Sequence, residues 1–137
     1  MEREILFRGK TKQGKWLYGF YHNETSIESP SSDRKVTRHH IYTQDFDKFV
    51  IPETVGQFTG LTDKNGTKIF EGDIVKGYLG YGDNENNIAY IEYQEDSMGF
   101  VLVEILKEDY GKYFEISDNM EVIGNIHDNP ELLGDIK

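Results

Sequence analysis

Four groups of side chains in this 137-residue chain have the types and spacing for chemistry. Glu71 and Asp73 flank Gly72. Paired carboxylates do general acid–base work when their surroundings split their pKa values. No histidine, serine or lysine is spaced to complete a site with them. Acids beside a glycine ordinarily bond the backbone of a turn. Asp73 is therefore expected in a turn, and a small enzyme using Glu71 and Asp73 is the second alternative. The histidines are His22, the adjacent pair His39-His40, and His127. Neighbours in a strand point to opposite faces, so the pair does not chelate by itself and no metal site is assigned. Asp63-Lys64-Asn65-Gly66 has a calcium-loop flavour. An EF-hand loop needs its glycine two positions later and flanking helices, so a hairpin turn is expected there, of the type I′ kind that Asn-Gly favours.

The fourth group is cationic and aromatic. Arg8, Lys10, Lys12 and Lys15 interleave with Phe7, Trp16, Tyr18, Phe20 and Tyr21. Aromatic rings beside cations stack single-stranded bases, and the same composition builds an ordinary hairpin core. Arg8, Lys10, Lys12, Lys15 and Trp16 are the candidate nucleic-acid-binding residues. No catalytic residue and no cofactor is assigned. Gly77 to Gly82 carry neither a dinucleotide fingerprint nor a phosphate-loop lysine, and 77–87 is expected to be a flexible loop.

Composition says what must position these groups. Of 50 apolar residues, 38 are Val, Ile, Phe, Tyr or Trp, and Ala89 is the lone alanine. Such usage favours strands over helices. Without cysteine there is no disulfide scaffold and no Cys-based zinc site. No apolar run approaches a membrane span, and the start of the chain lacks a signal-peptide core. A cytoplasmic protein that does not engage a membrane is expected. The net charge is −10. Residues 1–50 hold nine basic and seven acidic side chains, and residues 51–137 hold six and eighteen. The acidic part is a poor surface for phosphate. It is expected to be a solvated face, the sharper alternative being a face for a basic partner.

Periodicity and turn residues place strands at 5–8, 15–22, 41–43, 45–51, 54–61, 67–70, 72–76, 88–93, 98–106, 112–116 and 121–126. The polar, serine-rich stretch 23–40 reads as a long loop or flexible excursion, with at most a weak strand in it. Asn129-Pro130 opens one short helical turn.

Three blocks carry a family resemblance. Phe7-Arg-Gly-Lys10 with Gly14-Lys-Trp-Leu-Tyr-Gly19 resembles the opening of the YopX family of phage and prophage proteins. Thr54 to Gly66 followed by Ile69-Phe-Glu-Gly-Asp-Ile-Val75 is similar to its central signature, and Glu121 to Leu133 to its C-terminal one. The resemblance implies a protein of a Gram-positive phage or prophage, acting inside the host, small, β-rich and able to oligomerise. It brings no reaction and no functional residues.

The expectation is a mainly β chain. A meander over 1–52, with its loop at 23–40, leads into a strongly bent sheet or SH3-like barrel over 53–137, closed by a C-terminal helical turn. Together the two parts make one compact unit. Its expected work is non-enzymatic: binding a host or phage protein, or assembling with itself. Nucleic-acid binding through the N-terminal hairpin is the first alternative.

Overall fold

A computed structural model describes residues 4–43, 46–77, 88–96, 98–105, 111–114 and 119–133. By internal contacts the chain forms two units, 1–57 and 58–137. Both are antiparallel β structure, as the composition leads one to expect.

The first unit is built on strands β1 (Phe7–Lys10), β2 (Trp16–Ile27), β3 (Lys35–Thr43) and β4 (Phe46–Phe49). They lie in the order β4-β3-β2-β1, and Gly56 and Gln57, which open β5 (Gly56–Thr62), pair with β1. Leu17, Ile41 and Val50 are buried, with Phe7, Tyr21 and Val55 packed on them. A 3-10 turn at Pro52–Thr54 closes the unit. There the Thr54 hydroxyl accepts from the Lys10 N–H at 2.8 Å and donates to the Ile51 carbonyl at 2.6 Å.

The stretch 23–40 is a long hairpin rather than a loop. β2 and β3 pair continuously from Phe20↔Tyr42 to Ile27↔Lys35. Its outer part has no apolar face, and the ladder itself holds it. Hydroxyl contacts such as Thr25 Oγ1 to Thr37 Oγ1 at 2.8 Å add to the ladder. Only residues 28–34 are needed for the turn, where the Glu28 N–H donates to the Arg34 carbonyl at 2.8 Å.

The second unit holds the rest of β5, then β6 (Lys68–Phe70), β7 (Asp73–Lys76), β8 (Ile88–Gln94), β9 (Gly99–Ile105), β10 (Gly111–Phe114) and β11 (Glu121–Asn125). One sheet runs β10-β9-β8-β7-β11. Ile69, Val75, Ala89, Ile91, Leu102 and Met120 make its core. Closing an SH3-like barrel would require the edge strands to bond each other. Among the described residues β10 pairs with β9 and β11 with β7, so the sheet is open. A bulge at Val122/Gly124 bends β11. A Cβ on Gly124 would sit 2.6 Å from Asn129 Oδ1, so glycine lets the chain fold back here. The expected helical turn is a 3-10 turn at Pro130–Leu133. The Asn129 side chain bonds backward, accepting from the Asn125 N–H at 3.3 Å.

The β5–β6 and β1–β2 connections are the same turn. In each, a two-way anchor (Asp63 or Thr11) accepts from the glycine three residues on, at 3.0 and 2.9 Å. Gly66 and Gly14 take φ of +84° and +90°. Asn65 does not adopt positive φ, so the turn is not type I′. It is the longer hairpin turn in which glycine alone enters the left-handed region. The expected loop at 77–87 lies, beyond Gly77, outside the described residues.

Candidate functional site

Strand alternation sets the chemistry of the first unit. Leu17 and Tyr21 face the core, so Tyr18, Phe20, His22 and Glu24 face outward along β2. Across the ladder Phe20 pairs with Tyr42 and His22 with His40, and His40 pairs with Phe49 of β4. Phe20 is 66% exposed, Phe49 58%, Tyr18 48% and Tyr42 46%. Exposed rings gathered on one sheet face are unusual for a protein that works alone.

The five candidate nucleic-acid residues separate into two sets. Arg8 is buried at 6% and its guanidinium lies 4.8 Å from the centre of the Trp16 ring. Lys10 Nζ lies 5.9 Å from the same ring. These three form a cation–π cluster, which engages the Trp16 ring within the unit. Lys12 and Lys15 lie elsewhere, on the turn and at its exit. Lys12 lines a cavity of about 420 Å³ with Arg38, His39, Lys48 and Phe49. Lys15 lines a neighbouring one of about 570 Å³, also bordered by Lys48. Sequence reasoning missed Arg38 and Lys48, because the β3–β4 pairing that brings them to the turn, continued by the Val50 N–H to the His39 carbonyl and the Ile51 N–H to the Lys10 carbonyl, was not visible.

The histidines divide as alternation requires. His39 faces inward, with Nδ1 2.6 Å from the Tyr21 hydroxyl. His40 faces outward yet is only 6% exposed, because its ring lies between those of His22 and Phe49, with centroids at 4.4 and 4.6 Å. His40 Nε2 is 3.2 Å from Glu24 Oε1, and Nδ1 is 3.2 Å from Asp47 Oδ2. His22 Nε2 is 3.3 Å from Asp47 Oδ1. His22, His40 and Asp47 each present one ligand atom, all within 4.8 Å of one another. Three strands supply this cluster. Reading 23–40 as a loop hid it, although a turn centred on Pro30-Ser31-Ser32 would have set His22 opposite His40.

In the second unit the acids serve the backbone. Asp73, 2% exposed, accepts from the Phe70 N–H at 2.8 Å, the turn role expected of it. Neither of the cavities above is lined by Glu71 or Asp73. Asp63 is 4% exposed. Its Oδ1 accepts from the N–H groups of Asn65 and Thr67 at 2.8 and 2.9 Å, and its Oδ2 from that of Val122 at 2.9 Å. Burial disfavours its charge, but these three donors and the Lys64 ammonium outweigh burial and hold the carboxyl below its ordinary value. No helix among the described residues is long and apolar enough to cross a membrane.

Open antiparallel sheets with carboxylates bonded to backbone donors define a mainly β protein. The chain belongs to the YopX family, whose model, described as YopX protein, matches residues 6–134. Among solved structures it is similar to protein EF1440 from Enterococcus faecalis. The two are 24% identical, with a TM-score of 0.49, over 97% of this chain and 100% of that one. No curated protein matches.

Proposed function

We propose that this is a non-enzymatic accessory protein of a phage or prophage, working inside the host cell, that associates through the outer face of its first unit. The observation that carries this is the set of exposed rings at Tyr18, Phe20, Tyr42 and Phe49 on one sheet face. Its occupant is a second copy of the chain. Residues 1–57 hold nine basic and eight acidic side chains, while residues 58–137 hold six and seventeen. The chain thus carries both a ringed, cation-bordered face and an excess of acid to meet it. Rings supply the buried area at such interfaces, and charge sets encounter rate and register. The commitment of Asp73 to the Phe70 N–H weighs against the enzyme alternative at Glu71 and Asp73. Light scattering on the purified chain should find an oligomer that Phe20→Ser dissociates. A monomer at every concentration and salt level would overturn the proposal.

A second reading has its own observation. Lys12, Arg38 and Lys48 border a cavity beside the exposed Phe49 ring, a combination that suits a single nucleic-acid strand. A mobility-shift assay at low salt separates it from self-association. It predicts a shifted complex that salt disrupts, and no shift of single-stranded DNA or RNA removes it.

A further inference from the structure

We propose that His22, His40 and Asp47 bind one divalent transition-metal ion of the zinc class. Two of the pair separations match, each through a different Asp47 oxygen, and the three ligand atoms lie within 4.8 Å of one another. Ligand atoms about 2.0–2.1 Å from a tetrahedral ion lie roughly 3.3 Å from each other. His40 Nδ1 and Asp47 Oδ2 are 3.2 Å apart, and His22 Nε2 and Asp47 Oδ1 are 3.3 Å apart.

The protonation pattern favours a cation at this point. A neutral imidazole carries one N–H, whereas both nitrogens of His40 face carboxylates, Glu24 on Nε2 and Asp47 on Nδ1. When the N–H donates to Glu24, the Nδ1 lone pair confronts Asp47 with no proton between them. A divalent ion turns that repulsion into two bonds. Glu24 then plays the outer part usual for metal-bound histidine, fixing the tautomer and raising the basicity of the ring. An imidazolium at His40 is the rival way to satisfy the same contacts.

Part of the cluster is already fixed. The His40 ring is held between His22, at an interplanar angle of 10°, and Phe49. A ring lone pair lies in the ring plane, so the half-exposed His22 must turn out of the stack to share an ion with His40. The His22 and Asp47 side chains are 49% and 40% exposed, which gives an ion a path in. Three protein ligands leave a coordination position for water or for a donor from a bound partner. Two imidazoles and one carboxylate select Zn²⁺, Co²⁺ or Ni²⁺ over Mg²⁺ or Ca²⁺, which prefer all-oxygen shells.

The test uses the full chain, stripped with chelator and titrated with Co²⁺ by visible absorption and with Zn²⁺ by calorimetry. One ion per chain is expected, with Mg²⁺ failing to compete. His22→Asn and Asp47→Asn change half-exposed residues and should leave the circular dichroism intact while weakening binding at least tenfold. Glu24→Gln should weaken it about tenfold, and His127→Asn should not change it. The proposal fails if the folded parent gives no cobalt spectrum and no zinc heat, the outcome expected of the imidazolium. It fails equally if the His22 and Asp47 variants bind as the parent does.

Discussion

His22 and His40 stack nearly parallel across the β2–β3 ladder, with ring centroids 4.4 Å apart and planes 10° from parallel. They are direct cross-strand partners, yet one ring is half exposed and the other buried. The difference comes from β4. Phe49 covers the far side of His40, and Asp47 reaches both imidazoles. A surface ladder position thereby holds one buried imidazole inside a half-exposed polar cluster.

The two histidines should therefore differ in their contribution to stability. His40→Ala empties the space between two rings and leaves Glu24 and Asp47 facing each other's charge. It should destabilise the chain by about 2–3 kcal/mol. His22→Ala removes an exposed ring and should cost under about 1 kcal/mol. Urea midpoints of both variants check this, and equal losses would contradict the buried role of His40.

Gly19 is the tightest point of the first unit. A Cβ there would stand 2.0 Å from the Tyr42 carbonyl oxygen. That oxygen belongs to the backbone and cannot rotate aside, so β3 would have to shift. Gly19→Ala should cost about 3 kcal/mol, the upper part of the range for overpacking. Gly60→Ala is a different case. Open space surrounds it, so its cost comes only from a φ of +92° and should be about 1–2 kcal/mol. Chemical denaturation of the two variants should rank them in that order.

These points show what the residues disclosed and what they concealed. The strands with an apolar face were legible, from Trp16-Leu17 through Ile74-Val75 to Val122. Their alternation follows from burial on one side, and burial is what hydrophobic patterning reports. The outer arm of the β2–β3 hairpin has solvent on both faces, so Asn23 to Ile27 carry no such pattern. Cross-strand partners and hydroxyl pairs hold it, and these depend on register. With register unread, the meeting of His22, His40 and Asp47 could not be anticipated, nor that of Lys12 with Arg38 and Lys48. The resemblance to the YopX family rested on glycines and turn residues. Asp63 and Gly66 show why such residues recur in a fold, since one anchors a turn and the other takes the conformation it requires.

If the ringed face is an interface, its residues should affect association without affecting folding. Phe20→Ser replaces a ring that is 66% exposed. Folding stability should stay within about 0.5 kcal/mol of the parent. The self-association constant should fall at least tenfold, in line with an aromatic interface residue worth more than about 1.4 kcal/mol. Sedimentation of the variant beside the parent reads both. Loss of stability with association unchanged would make Phe20 a folding residue.

Asp63 gives the clearest pH signature. Its carboxylate joins the β5–β6 turn to β11 through the Val122 N–H, and its folded pKa lies below the ordinary value. A group depressed in this way stabilises the fold above its unfolded pKa of about 3.9. That contribution is lost as pH falls through the lower folded value. Asp63→Asn places a donor amide toward one or another of the three N–H groups and removes the charge. At about pH 7 it should cost about 2–3 kcal/mol, the scale of hydrogen bonds to a charged group. As pH falls through the depressed folded value the parent's own carboxyl takes up a proton, so toward about pH 2 the gap between the two proteins should narrow. Urea denaturation of both at the two pH values measures this. A gap that stays constant would mean that Asp63 acts through shape alone, because only the ionised carboxylate can lose its advantage with acid.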